Sequence, residues 1–125
     1  MSQKKIFIVD DNEMFAEMLK DRLSANTSYR ISIFNTGEEC IKNLFLNPDL
    51  IILDYFLNDV YKEAANGLEI LGEIKKHNDK VHVIMLSSQE KYTVAAQTIS
   101  KGAEQYVVKD DDAFDNIGKI LRDIF

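Results

Sequence analysis

Apolar runs alternate along this chain with helical stripes, and each run ends on a polar residue. Lys5-Ile6-Phe7-Ile8-Val9 is continuous and rich in β-branched and aromatic side chains, the pattern of a strand buried on both faces, and it stops at Asp10-Asp11-Asn12. From Glu13 to Ala25, Phe15, Met18, Leu19 and Leu23 recur at helical spacing, and Asn26 supplies an end signal. Tyr29 to Phe34 alternates as a second strand. A second helix begins at Thr36-Gly37-Glu38-Glu39, is carried by Cys40, Ile41, Leu44 and Phe45, and must end before Pro48, because the residue preceding proline avoids helical dihedrals.

Leu50-Ile51-Ile52-Leu53 is the third strand and runs into Asp54. Gly67 to His77 carries the stripe Leu68, Ile70, Leu71 and Ile74. A fourth strand, Val81 to Leu86, ends in Ser87-Ser88. Tyr92 to Ser100 is helical, and Gly102 marks its end. Gln105 to Val108 is a fifth strand ending in Lys109, and Ala113 to Phe125 closes the chain as an amphipathic helix with Asp111 or Asp112 as N-cap. Strict alternation predicts an α/β fold of five βα units: a parallel sheet with helices on both faces, since each parallel crossover needs a covering helix. The connection from Tyr55 to Asn66 is long against the usual roughly 2–6 residues. Its Asp59 and Glu63 read as solvated loop residues, with approach to a metal or a partner as the alternative.

In an open parallel sheet, ligands bind beyond the carboxyl ends of the strands, where strand order reverses. Asp10, Asp11, Asp54, Ser87, Ser88 and Lys109 all stand at such ends. Any one of these is weak evidence: Asp10 and Asp11 could cap the first helix, and Ser87-Ser88 alone is a loop signal. Together they bring carboxylates, hydroxyls and an ammonium to one edge. Clustered carboxylates need a cation, and hard oxygen donors without a Cys or His cluster select Mg²⁺ or Mn²⁺. A phosphoryl group in flight is stabilised by a metal, a lysine and hydroxyl donors, and a carboxylate such as Asp54 can be its nucleophilic acceptor.

The segments Ile6-Phe7-Ile8-Val9-Asp10-Asp11-Asn12, Leu50-Ile51-Ile52-Leu53-Asp54, Val83-Ile84-Met85-Leu86-Ser87-Ser88 and Lys101-Gly102-Ala103-Glu104-Gln105-Tyr106-Val107-Val108-Lys109 resemble, in order, the signatures of response regulator receiver domains. The resemblance implies a doubly wound sheet of flavodoxin-like strand order 2-1-3-4-5. It makes Asp54 the phosphoacceptor, with Asp11, Asp54 and the backbone carbonyl of Phe56 as direct metal ligands and Asp10 acting through a metal-bound water. Ser87 would donate to a phosphoryl oxygen, Ser88 would leave room for that group, and Lys109 would pair with Asp54 or its phosphate. Tyr106 would turn as Ser87 moves inward; an ordinary half-buried strand aromatic is the alternative. Phe56 and Gln89 would tune how fast water reaches the acyl phosphate. The phosphodonor implied is a sensor histidine kinase or a phosphotransfer protein, and the output is a downstream protein target or a phosphorylation-dependent dimer.

Two departures from the family stand out. Asp110 follows Lys109 where a cis proline is usual, so a trans bond is expected. Asn58 stands where a proline is usual, and Gly67 arrives only after the longer connection.

Composition narrows the reading further. The 125 residues carry 46% hydrophobic side chains, enough for one core, so residues 1–125 are expected to form a single receiver domain without an output domain. A net charge of -6 disfavours direct nucleic-acid contact. No apolar stretch approaches the roughly 20 residues of a membrane span, and a cytoplasmic location is expected. The single cysteine, Cys40, cannot form an intramolecular disulfide and reads as a buried thiol. His77 and His82 lack partners at metal-ligand spacing. Three other readings remain: a degenerate receiver acting only by protein binding, a phosphatase on the same kind of sheet, and a flavin module. The phosphatase needs a general acid, commonly an Asp two positions past Asp54, where Phe56 stands. The flavin module needs a Ser/Thr/Gly-rich loop that does not follow the first strand.

Overall fold

The structure, a computed structural model, describes residues 3–57, 63–88 and 92–125. Five strands, β1 (Lys4–Val9), β2 (Tyr29–Phe34), β3 (Leu50–Asp54), β4 (His82–Ser87) and β5 (Gln105–Val108), alternate with five helices. The helices are α1 (Glu13–Leu23), α2 (Gly37–Lys42), α3 (Gly67–His77), α4 (Tyr92–Ser100) and α5 (Ala113–Ile124). All strand pairings are parallel, in the order β2-β1-β3-β4-β5. Strand order therefore reverses between β1 and β3.

Side chains in a strand alternate faces, so the continuous apolar runs divide by parity into two cores. Phe7, Val9, Ile51, Leu53, Val83 and Met85 face the layer of α2 and α3, where Cys40, Ile70, Leu71 and Ile74 cover them. Ile6, Ile8, Leu50, Ile52, Ile84, Leu86 and Val107 face α1 and α5, against Ala16, Leu19, Leu23, Ile117 and Leu121. The three central strands are thus dry on both sides, and no charged side chain fits among them until the strand ends.

Helix starts follow side-chain capping: Asn12 accepts from the Phe15 amide at 3.0 Å, Thr36 from Glu39 at 3.2 Å and Asn66 from Glu69 at 3.0 Å. Three details of the helices differ from the sequence reading. Met18 is 54% exposed, because the buried face of α1 runs through Ala16, Leu19 and Leu23 and turns Met18 outward. α2 ends at Lys42, and the chain tightens into a 3₁₀ turn over Leu44–Leu46 that keeps Leu44 inside but leaves Phe45 69% exposed. Asn47 closes that turn in the left-handed region, at φ 57°. At α5, Asp112 occupies the cap position without a side-chain hydrogen bond; the carboxylate at work is Asp110, whose Oδ1 accepts from the Asp112 amide at 2.9 Å.

Among the described residues no helix is long and apolar enough to cross a membrane. Cys40 lies fully buried in the α2–α3 core, and burial pushes its thiol up to about 12. A thiolate is the reactive form. Native protein at pH 8 is therefore expected to resist thiol alkylation at Cys40, with mass-detected modification appearing only as denaturant unfolds the chain.

Candidate functional site

The carboxyl ends of β1 and β3 lie side by side, with Val9 opposite Leu53, so the residues that follow meet across the reversal point. Asp10, Asp11 and Asp54 are all buried there, and each offers a carboxylate oxygen within 4.8 Å of the others. Asp54 is the last ladder residue of β3, opposite Leu86, and Ser87 is the last of β4, opposite Val108. The next residue of the fifth strand's chain is Lys109, tied back by its amide to the Ser87 carbonyl at 2.8 Å. Pairing thus carries each group to one edge, as four separate strand ends predict.

Lys109 reaches into the crevice. Its Nζ is 2.8 Å from Asp10 Oδ2 and 3.4 Å from Asp54 Oδ2. Lys109 thus pairs with Asp54, the partner named from the sequence, and more closely with Asp10. Asp10 is also held by its other oxygen, since Oδ1 accepts from the Asn12 amide at 2.9 Å, and its carbonyl accepts from Asn35 Nδ2 at 3.2 Å. The Lys109–Asp110 bond is trans, as expected without proline.

The groups sort by depth. An open cleft of about 450 Å³ is lined by Asp11, Asn12, Glu13, Asp54, Phe56, Ser88 and Lys109. Asp10 and Ser87 sit fully buried and outside that lining. Ser88 is exposed at the rim. Tyr106, opposite Met85 in the ladder, is half-buried against the α2–α3 layer and does not line the cleft. Of the long connection, Glu63 is exposed, while Asp59, like Gln89 after Ser88, lies outside the described residues.

Gly67 returns the long connection to the site. Its amide donates to the Tyr55 carbonyl at 2.8 Å, and a Cβ on Gly67 would fall 2.2 Å from the Asp54 carbonyl oxygen. Only glycine permits that approach. Glu38 braces the same connection by accepting from the Ala65 amide at 3.0 Å. Sequence reasoning placed neither contact, and it also passed over Phe15, read as one member of a helical stripe: the Lys109 ammonium lies 4.5 Å from the centre of its ring.

Charge is unbalanced in this crevice. Burial, then the charges of Asp10 and Asp11, push the Asp54 carboxyl from its ordinary 3.8 up to about 8, against the opposing pull of Lys109. Burial would lower the Lys109 ammonium, but Asp54 and Asp10 more than offset it and hold it above its ordinary value. Three carboxylates against one ammonium, all with hard oxygen donors, fit a divalent cation of the Mg²⁺ kind.

Residues 6–120 match the response regulator receiver domain family. The chain belongs to that family. It is 28% identical over 104 residues to the transcriptional regulatory protein MalR of Bacillus subtilis, covering 83% of this chain and 43% of that protein. It is 33% identical over 107 residues to the two-component response regulator ORR27 of Oryza sativa, covering 83% of this receiver and 16% of the rice protein. The receiver therefore spans less than half the length of either relative. Among solved structures it resembles the BeF3-activated DrrB receiver domain, at 26% identity, TM-score 0.77 and 96% coverage of both chains. It also resembles a CheY-like receiver domain protein of Methanospirillum hungatei, at 25% identity and TM-score 0.81, covering 98% of this chain and 94% of that one. Five parallel strands in the order 2-1-3-4-5 with five helices are the flavodoxin-like fold of this family.

The raised Asp54 carboxyl links stability to pH. A carboxyl that holds its proton more tightly when folded stabilises the receiver below its ordinary pKa of 3.8, and that contribution is lost as pH rises through about 8. With metal chelated, Asp54→Asn is expected to be more stable than the parent at pH 8 by roughly 1–3 kcal/mol, and the difference should shrink toward pH 5. Urea unfolding of both proteins across that range measures it. A constant difference would show that the Asp54 charge is not under strain.

Proposed function

We propose that this receiver is a phosphorylation-controlled signalling switch that accepts a phosphoryl group on Asp54. The observation that carries the reading is the make-up of the cleft: Asp54 opens onto it beside Asp11, and Lys109, on the same lining, reaches Asp54 at 3.4 Å. The Asp54 oxygen forms a bond to the phosphorus of the donor as the donor's own bond to phosphorus breaks, and the leaving group departs with that electron pair. Asp11, Asp54 and the Phe56 carbonyl, with Asp10 through water, would hold Mg²⁺ or Mn²⁺, whose charge offsets that developing on the phosphoryl oxygens.

The chain's own groups do the rest. Lys109 supplies a fixed positive charge next to the acceptor oxygen. Ser87 donates its hydroxyl to a phosphoryl oxygen, and that requires it to move from its buried seat toward Asp54. Ser88, small and at the rim, leaves room for the group. Tyr106 turns into the space Ser87 vacates and alters the surface of α4 and β5. Such a switch works through linkage: a partner that prefers the phosphorylated packing must in turn favour phosphorylation, typically by about 5- to 150-fold. The donor is a sensor histidine kinase or phosphotransfer protein, and the reader a downstream protein or a second receiver. Phe56 at the cleft wall shields the acyl phosphate from water. The net charge of -6 supports a protein rather than nucleic acid as direct partner; the proposed setting is the cytoplasm, with residues 1–125 acting as one domain.

One observation favours a second reading. Asp110 in the usual place of proline fits a receiver that switches by protein binding alone. Incubation with acetyl phosphate and Mg²⁺ separates the two. Intact mass is expected to rise by one phosphoryl group with Mg²⁺, to stay unchanged with chelator, and to stay unchanged in Asp54→Asn; a rise persisting in that variant would move the acceptor elsewhere. With beryllofluoride and Mg²⁺, NMR shifts are expected at Ser87, Tyr106 and α4. Shifts confined to the Asp54 connection would exclude the Tyr106 switch.

A further inference from the structure

Lys109 ends a four-carbon stem with free rotation about every bond, so its arrival between two carboxylates requires something to hold it. The receiver family's usual proline after this lysine is absent here, and the local backbone is secured by hydrogen bonds instead. The Lys109 amide donates to the Ser87 carbonyl at 2.8 Å, and the Asp110 carboxylate closes the following turn by accepting from Asp112 at 2.9 Å. These contacts set where the stem begins. They do not set where the ammonium ends.

Asp10 and Asp54 draw it from one side, and the ring of Phe15 stands on another. Lys109 Nζ lies 4.5 Å from its centroid, within the roughly 6 Å over which an aromatic face attracts a cation. The lysine side chain is only 17% exposed, so water competes weakly for the ammonium. Phe15 is itself held, since Phe114 of α5 meets it edge to face with centroids 5.4 Å apart. The half-buried ring thus forms one wall of the lysine's seat, and Asp10 and Asp54 form another.

We propose that Phe15 is the positioning residue of the site: braced by Phe114, it holds the Lys109 ammonium where it can reach Asp54. The inference rests on the reading of Asp54 as phosphoacceptor only for its kinetic consequence; the placement of Lys109 is independent of it. A leucine at position 15 keeps most of the apolar volume and loses the aromatic face, whereas a tyrosine keeps both. A cation–π contact in a largely dry setting is worth about 5- to 30-fold in the balance between held and released ammonium.

The test uses the full chain in three forms: parent, Phe15→Leu and Phe15→Tyr. In lysine-labelled protein, the ε-methylene protons of Lys109 are expected upfield in the parent and in Phe15→Tyr, shifted by the ring, and near ordinary lysine values in Phe15→Leu. With saturating Mg²⁺ and acetyl phosphate, phosphorylation of Phe15→Leu should slow about fivefold or more, while its Mg²⁺ affinity stays within about twofold and Phe15→Tyr matches the parent. If Phe15→Leu is too unstable to measure, Phe114→Leu removes the ring's brace instead and should move the same methylene signal. Two results would overturn the inference. One is an ordinary Lys109 methylene shift in the parent; the other is a rate in Phe15→Leu equal to the parent's, or one that falls equally in Phe15→Tyr. A parent that takes no phosphoryl group would overturn the acceptor reading alone, and the methylene shift would still decide the role of Phe15.

Discussion

Everything particular to this receiver follows from burying three carboxylates where two adjacent strands end. The sheet interior is apolar on both faces, so β1 and β3 can place charge only at their ends, and at the carboxyl edge the reversal of strand order between them brings Asp10, Asp11 and Asp54 together. Buried like charges are unfavourable unless a cation or a proton relieves them. The receiver meets that constraint in part by pairing Lys109 with Asp10, and in part by raising the proton affinity of Asp54. The remaining imbalance is what makes the site a place for a divalent cation.

The same constraint separates the acids into roles. Asp10 is occupied on both oxygens, by Lys109 and by the Asn12 amide, and it anchors the start of α1. Asp11 and Asp54 line the open cleft. Lys109 is shared among Asp10, Asp54 and the ring of Phe15, so a change of charge at Asp54 alters the balance of forces on one side chain that also touches α1. α5 joins through Phe114. The acidic crevice is therefore in contact, through Lys109 and Phe15, with two helices on the α1–α5 face.

Most of the fold was legible in the sequence because two periods settle it. Continuous apolar runs at Ile6–Val9 and Leu50–Leu53, short and rich in β-branched residues, suit strands covered on both sides, and the polar residue closing each run marks the chemically useful edge. Less was legible where tertiary contacts decide. Phe45 fits a helical stripe, yet α2 breaks off at Lys42 and the tighter 3₁₀ turn rotates Phe45 into solvent. Asp111 and Asp112 both look like helix caps, yet the turn geometry hands that work to Asp110. At the site, strand-end position identified which residues converge, but not which carboxylate a long lysine chooses. That choice depends on charges from three strands and on a ring from α1, which sequence spacing does not encode. Gly67 was visible as a late glycine; its contact with the Asp54 carbonyl needed the connection to fold back.

The central claim is that the three carboxylates form a cation site with unequal members. Calorimetric titration of Mg²⁺ into the parent receiver, Asp10→Ala and Asp11→Ala at pH 8 tests it most directly. The account predicts measurable binding by the parent, a loss of roughly tenfold in Asp10→Ala, whose carboxylate acts at one remove, and a larger loss in Asp11→Ala, which lines the cleft beside Asp54. Equal losses in the two variants, or no binding by the parent, would contradict it.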